Sequence, residues 1–228
     1  MKMGFDESGN IVHSNLLLKV QKMKFLEEIQ CGKLYMKPLY FHRINEREGA
    51  GDPTEGILAD FDDALLEIDG ITIADVKNCK LYVLGDRPIF CCFSVEFERI
   101  SEREYTCTVD KKLLAEFTDD TDDYGIIIIK RDSLRQRISE ALEAQSLSGF
   151  FDDVDYTDEK QLYNGDDLYK TAFRKRTKFK HQHECRLLVN KSIEDHFILD
   201  VGDLRDISMI IPITDINKDI TVKVCMNE

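Results

Sequence analysis

The length and character of its apolar runs limit most what this chain can fold into. None is long: Ile89–Phe93 and Ile126–Ile129 are representative, whereas a membrane-spanning helix needs about 20 apolar residues. The second run sits in Tyr124–Lys130, Y-G-I-I-I-I-K, whose β-branched side chains favour a buried strand. Pro88–Phe97 and Asn15–Val20 read the same way. Further strands are expected at Ile71–Asp75, Lys80–Leu84, Glu184–Asn190, Asp195–Val201, Ile207–Ile213 and Thr221–Met226. Leu34–Arg43 reads as a short strand, a Pro-marked turn and a second extended piece. Leu58–Asp69 fits a helix or a strand.

Helices are fewer. Gln21–Gln30 places Phe25, Leu26 and Ile29 on one face, and Gly32 follows as a C-cap. Val109–Phe117 and Leu168–Lys175 read as short helices. A longer helix starts at Asp132 or Ser133 and runs to about Gln145, with Leu134, Ile138 and Leu142 four apart on one face. Strands and helices do not alternate strictly, which argues against a doubly wound sheet. The expected fold is α+β, one domain over residues 1–228. Asn45–Gly56, rich in Gly and acids, is expected to be a loop, and Gly149–Asp167 an acidic, irregular stretch.

Composition narrows the function classes. The 228 residues carry a net charge of -13, so bulk electrostatics do not draw the chain to nucleic acid. One local patch runs against that balance: Lys170, Arg174, Lys175, Arg176, Lys178, Lys180 and Arg186 face the single acid Glu184. It reads either as a solvated edge strand or as a site for a polyanion, with Arg174, Arg176 and Lys178 as substrate-binding candidates. The seven Cys are scattered without C-x-x-C spacing, so zinc and redox signatures are missing. The opening residues lack the apolar stretch of a secretory signal, and a cytoplasmic protein with no membrane partner is expected.

No phosphate-binding P-loop, G-x-G-x-x-G, G-x-S-x-G or H-E-x-x-H pattern occurs, which sets aside the common kinases, Rossmann dehydrogenases, α/β hydrolases and zincins. The unusual segment is His181-Gln182-His183-Glu184-Cys185-Arg186. On a strand, Gln182 and Glu184 share one face and the two His the other. A Gln beside a Glu suits gripping two sugar hydroxyls. The same spacing also fits an edge strand with a polar outer face. The two His lack a third metal ligand.

Three short segments follow one another along the chain: Lys19 at the end of the first apolar strand, Ser94 closing I-F-C-C-F-S, and Gln182-His183-Glu184 opening C-R-L-L-V. In this order the chain resembles the ADP-ribosyltransferase superfamily, whose toxin branch carries an Arg on the first strand, a Ser opening S-T-S and a Q-x-E or E-x-E pair. Here Lys19 stands for the Arg, and Val95-Glu96 follow Ser94. The chain is also similar to a group of bacterial proteins with a D-P-x-E-like loop, here Asp52-Pro53-Thr54-Glu55, and a late x-E-x-R strand.

The resemblance implies two small, mostly antiparallel sheets around a cleft that takes NAD as co-substrate, with no metal. It implies Glu184 and Gln182 as catalytic residues and Lys19, Ser94 and Arg43 as NAD contacts. A protein, RNA or DNA acceptor follows, as does a setting as a toxin or phage-defence effector with an antitoxin or other regulatory partner. Three alternatives stay open. One is a catalytically silent binding module. Another is a metal-dependent nuclease using Asp52, Glu55, Glu184 and a His. The last is an interaction protein of a toxin–antitoxin complex whose acidic surface meets a basic partner.

Overall fold

Apolar strands of this kind need partners on both edges and cover on both faces, and one large sheet supplies them. The computed structural model describes residues 4–5, 11–13, 15–44, 51–99, 104–107, 109–119, 123–159, 168–215 and 220–223. Eight strands make the sheet: β1 (Leu16–Lys22), β2 (Lys33–Pro38), β3 (Pro88–Ser94), β4 (Tyr124–Lys130), β5 (Gly149–Asp153), β6 (Glu184–Val189), β7 (Phe197–Asp200) and β8 (Ser208–Pro212). Their order is β5-β6-β3-β1-β4-β8, and β2 branches from β3 to carry β7 on its other edge. The pairings are antiparallel. Four α-helices accompany them among the described residues: α1 (Met23–Gln30), α2 (Leu39–Ile44), α3 (Lys111–Phe117) and α4 (Arg131–Ala144). The chain is α+β, as the patterning implies, and no helix among the described residues is long and apolar enough to cross a membrane.

The sheet is buried on both faces, which explains its unbroken apolar runs. On one face Leu17, Cys92, Ile127, Cys185 and Leu187 pack against Leu26 and Ile29 of α1 and Leu134, Ile138 and Leu142 of α4. On the other, Leu18, Val20, Phe93 and Ile126 meet Leu113 of α3. Ile89 and Leu188 meet Leu39 of α2 together with Ala172 and Phe173. Each such side chain contributes roughly 2 kcal/mol by leaving water. The i, i+4 stripe of α4 is therefore the anchor that its spacing predicts.

Several local readings change. Helix α4 begins at Arg131 without a side-chain cap of its own. Asn15, just ahead of β1, caps it instead: its carbonyl accepts from Arg131 N and its Oδ1 from Asp132 N. After Pro38 the chain turns into α2, not into a second extended piece. The Leu39 and Tyr40 amides, orphaned at a helix start, donate to the carbonyls of Arg87 and Gly85. Ile57–Ile68 and Ile71–Tyr82 form one long hairpin. Asp69 and Gly70 turn it with φ of 51° and 78°, the two positive values that a two-residue hairpin turn demands. Leu168–Phe173 is a 3-10 helix leading into Arg174–Lys175, which pairs in parallel with Asp155–Tyr156.

The stretch from Gly149 is ordered as β5 and Asp155–Tyr156, so the expectation of an irregular segment fails there. Its residues 160–167 lie outside the described residues, as do 45–50 of the Gly-rich loop, 120–122 and 224–228. Glu98–Arg99, Glu104–Cys107 and Ile220–Lys223 form a separate three-stranded sheet.

Candidate active site

Strands β6, β3 and β1 are neighbours, and they carry Glu184, Ser94 and Lys19. The register sets Glu184 opposite Phe93 and Ser94 opposite Leu17. Glu184 opens β6, and its amide donates to the Tyr156 hydroxyl at 2.8 Å. Gln182 is not on that strand. It ends a 3-10 helix over Thr177–Gln182, and His183 reverses the chain with φ of 45°. The expected alternation of Gln182 and Glu184 with the two His therefore fails. Their side chains nevertheless meet, because one buried ammonium holds both.

That ammonium is Lys175. Its Nζ donates to Gln182 Oε1 at 2.8 Å and to Glu184 Oε2 at 3.1 Å. Arg186, two residues along β6 and so on the same face, donates from Nε to Glu184 Oε1 at 2.6 Å and from Nη2 to Oε2 at 3.0 Å. The same Nη2 donates to Glu55 Oε1 at 2.6 Å, and Nη1 to the Ala172 carbonyl at 2.7 Å. Gln182 Nε2 extends the chain to Glu116 Oε2, which also contacts His181 Nε2. Glu55, Lys175, Glu184 and Arg186 are all buried.

The electrostatics follow from this packing. Burial pushes the Glu184 carboxyl upward, but the Arg186 and Lys175 charges outweigh it and hold the group well below the usual carboxylate range. Burial dominates for Glu55, and its carboxyl is raised. Arg186 resists burial through Glu184 and Glu55 and is raised well above its ordinary value. His42 is lowered to about 3, by burial first and then by the Arg186 charge. The Tyr156 hydroxyl is raised by burial and by the Glu184 charge. An ionised carboxylate beside neutral His42 and Tyr156 is the resulting state near pH 7.

Glu184 and Ser94 line one cavity of about 320 Å3, with Arg131, Tyr156, Lys180 and His183 around it. Ser94 Oγ donates to Asp153 Oδ1 at 3.3 Å, and Arg131 Nη2 lies 2.9 Å from Asp153 Oδ2. Lys19 does not reach this cavity. Its Nζ donates to the Cys91 carbonyl at 2.7 Å and lies over the Phe90 ring, lining a different cavity. Arg43 stacks on Tyr82, 4.5 Å from the ring centre, and lines neither.

The basic run divides. Lys175 and Arg186 turn inward, and Arg176 donates from N and Nε to Asp52, both at 3.1 Å. Arg174 and Arg176 line a third cavity, of about 210 Å3, with Asp158 and Thr54. Lys178 stays exposed, its ammonium over the Phe179 ring.

The D-P-T-E segment has a structural task. Asp52, fully buried, accepts from Thr54 N and Oγ1 as well as from Arg176. Those hydrogen bonds outweigh burial and lower its carboxyl. Asp52 and Glu55 thus clamp the hairpin base to residues 174–186. The carboxylates considered for a metal-dependent nuclease already bind guanidinium and ammonium groups. No group of three or more His, Cys, Asp and Glu among the described residues is arranged to hold a metal ion.

Arg131 and Tyr156 escaped the sequence reading as site residues, and Lys175 and Arg186 entered it only as members of the basic run. Arg186 left a further signal: an E-x-R pair of opposite charges inside an otherwise apolar strand. No protein-family model, curated protein or solved structure matches this chain.

Proposed function

We propose that the chain is an NAD-dependent ADP-ribosyltransferase acting on a macromolecule, with Glu184 at the centre of the reaction. One observation carries the reading: segments 75 to 165 residues apart along the sequence, at Lys19, Ser94 and Glu184, lie on three adjacent strands, and two of them share a cavity. Residues around that cavity suit the nicotinamide-ribose end of NAD. They offer a buried carboxylate, a hydroxyl and the cations Arg131 and Lys180 in a volume near the lower end of ligand sites. NAD would supply the ribosyl carbon and the nicotinamide leaving group, through a transition state with oxocarbenium character of the kind met in glycoside cleavage.

Glu184, ionised, stabilises positive charge developing at that carbon. Ser94 orients a ribose hydroxyl. Arg131 takes the phosphate-facing role first assigned to Lys19 and Arg43, because it shares the cavity and they do not. Gln182, held by Lys175 and Glu116, fixes the approach to Glu184 and is a positioning residue. A toxin or phage-defence setting, with an antitoxin or other regulator, accords with the reading, and a protein, RNA or DNA acceptor is equally compatible with it.

Labelled NAD incubated with a bacterial lysate, then fractionated into protein, RNA and DNA, tests the proposal. Label in one fraction is expected. Glu184→Gln should lower it on the order of 10²-fold, and Ser94→Ala should lower it while leaving the melting temperature unchanged. Full activity in both variants would overturn the assignment. A second reading rests on the compensation of Glu184 by two buried cations: a silent module that keeps the carboxylate for stability alone. It predicts neither label nor NAD binding.

A further inference from the structure

A larger cavity, of about 470 Å3, opens where β1 and β3 part. The two strands pair only at Leu17 with Ser94 and Leu18 with Phe93. Farther along, β3 turns to β2, pairing Ile89 with Lys37. The cavity shares no lining residue with that of Glu184 and Ser94, and its volume lies within the range of small-molecule sites.

Its wall runs against the acidic balance of the chain. Lys19, Lys33 and Lys37 face it against one carboxylate, Glu28. Lys37 is committed to Asp195 at 2.5 Å. Lys19 and Lys33 have no carboxylate partner among the described residues, and Lys19 spends one of its three N–H groups on the Cys91 carbonyl. Two ammonium groups free to accept an anion therefore sit at one concavity.

Beside them stand exposed aromatic surfaces. Tyr35 is 46% and Phe41 39% exposed, and both line the cavity. Tyr35 is held from behind by the His196 ring, stacked at 5.2 Å. The Lys37 ammonium lies 5.8 Å from the Tyr35 ring centre and 5.4 Å from that of Phe41, so both rings stand near one cation. Such faces stack on a flat heteroaromatic ring. His42 adds an uncharged ring to the wall.

We propose that this cavity binds a nucleoside monophosphate, with the base against Tyr35 and Phe41 and the phosphate on Lys19 and Lys33. Two ammonium groups without a carboxylate partner match a dianionic phosphate better than a single carboxylate, and the two exposed rings account for the base. The inference stands on the cavity alone and is independent of the transferase reading.

Calorimetric titration of the full chain with AMP, without NAD, tests it. AMP is expected to bind, and adenosine or inorganic phosphate alone to bind at least about tenfold more weakly. Lys33→Glu and Phe41→Ala, both exposed changes whose folding a thermal melt verifies, should each weaken AMP on the order of tenfold. Arg131→Ala, in the other cavity, should leave AMP binding unchanged. Absent binding, binding indifferent to Lys33→Glu and Phe41→Ala, or binding lost only with Arg131→Ala would each overturn the proposal. Transfer of label from NAD is read separately, so either idea can fail without the other.

Discussion

Glu184 carries two demands at once: the charge that suits it to chemistry also locks Arg186 and Lys175 into the interior. Arg186 shows how specific that lock is. Its guanidinium reaches Glu184, Glu55 and the Ala172 carbonyl together, a fork that no ammonium reproduces. Arg186→Lys should therefore cost about 3 kcal/mol of unfolding free energy in urea, because buried carboxylates lose their partner. A loss below 1 kcal/mol would mean that Lys175 alone neutralises the cluster. The partnership was partly legible: Glu184 and Arg186 two apart in E-C-R-L-L-V must share a face once the segment is a strand. Lys175 was not legible, since its approach depends on a 3-10 helix and a left-handed His183 that reverse the chain between them. Period-2 reasoning across residues 181–184 had no means to foresee that reversal.

Elements were easier to read where packing alone decides them and harder where a distant carbonyl does. β4 and α4 follow from an apolar run and an i, i+4 stripe. Helix α2 depends on Arg87 and Gly85 accepting its first amides, contacts that no local pattern records. The long hairpin had a local sign in Asp69-Gly70, whose value as a turn signal outweighs the mixed patterning on either side. Two tight junctions permit predictions. Gly32 leaves α1 with φ of 91°, and a Cβ there would run into the Gly202 backbone. Gly32→Ala should destabilise by at least about 2 kcal/mol, through the strained φ and the unyielding contact. Asp52→Ala removes the acceptor for Thr54 and Arg176 and should cost about 3 kcal/mol, with faster amide exchange concentrated at residues 174–177. Exchange rising uniformly would show that the clamp is not local.

At the scale of the whole molecule, acid should unfold the chain in a definite order. His42 titrates near 6.5 when unfolded and at about 3 in the fold. Between those values the unfolded chain holds a proton that the native state refuses. Stability therefore falls as pH drops through this window, by up to about 1.4 kcal/mol per pH unit. Glu184, held well below its ordinary value, adds a second loss that begins only under about pH 4.5. Glu55 works in the opposite sense: its raised carboxyl takes up a proton in the native state first, and this offsets part of the decline. The net charge of -13 also opposes the trend, since acid relieves its repulsion, but salt screens that term more than it does a half-buried ring whose Nε2 is out of reach of solvent. Urea melts in about 0.3 M salt isolate the buried groups. The wild type should weaken from pH 6.5 to 5, whereas His42→Phe, which keeps a ring without a titrating nitrogen, should hold its stability there or gain some through Glu55, and decline only below about pH 4.5 with Glu184. Parallel curves for the two proteins would move the acid sensitivity away from His42.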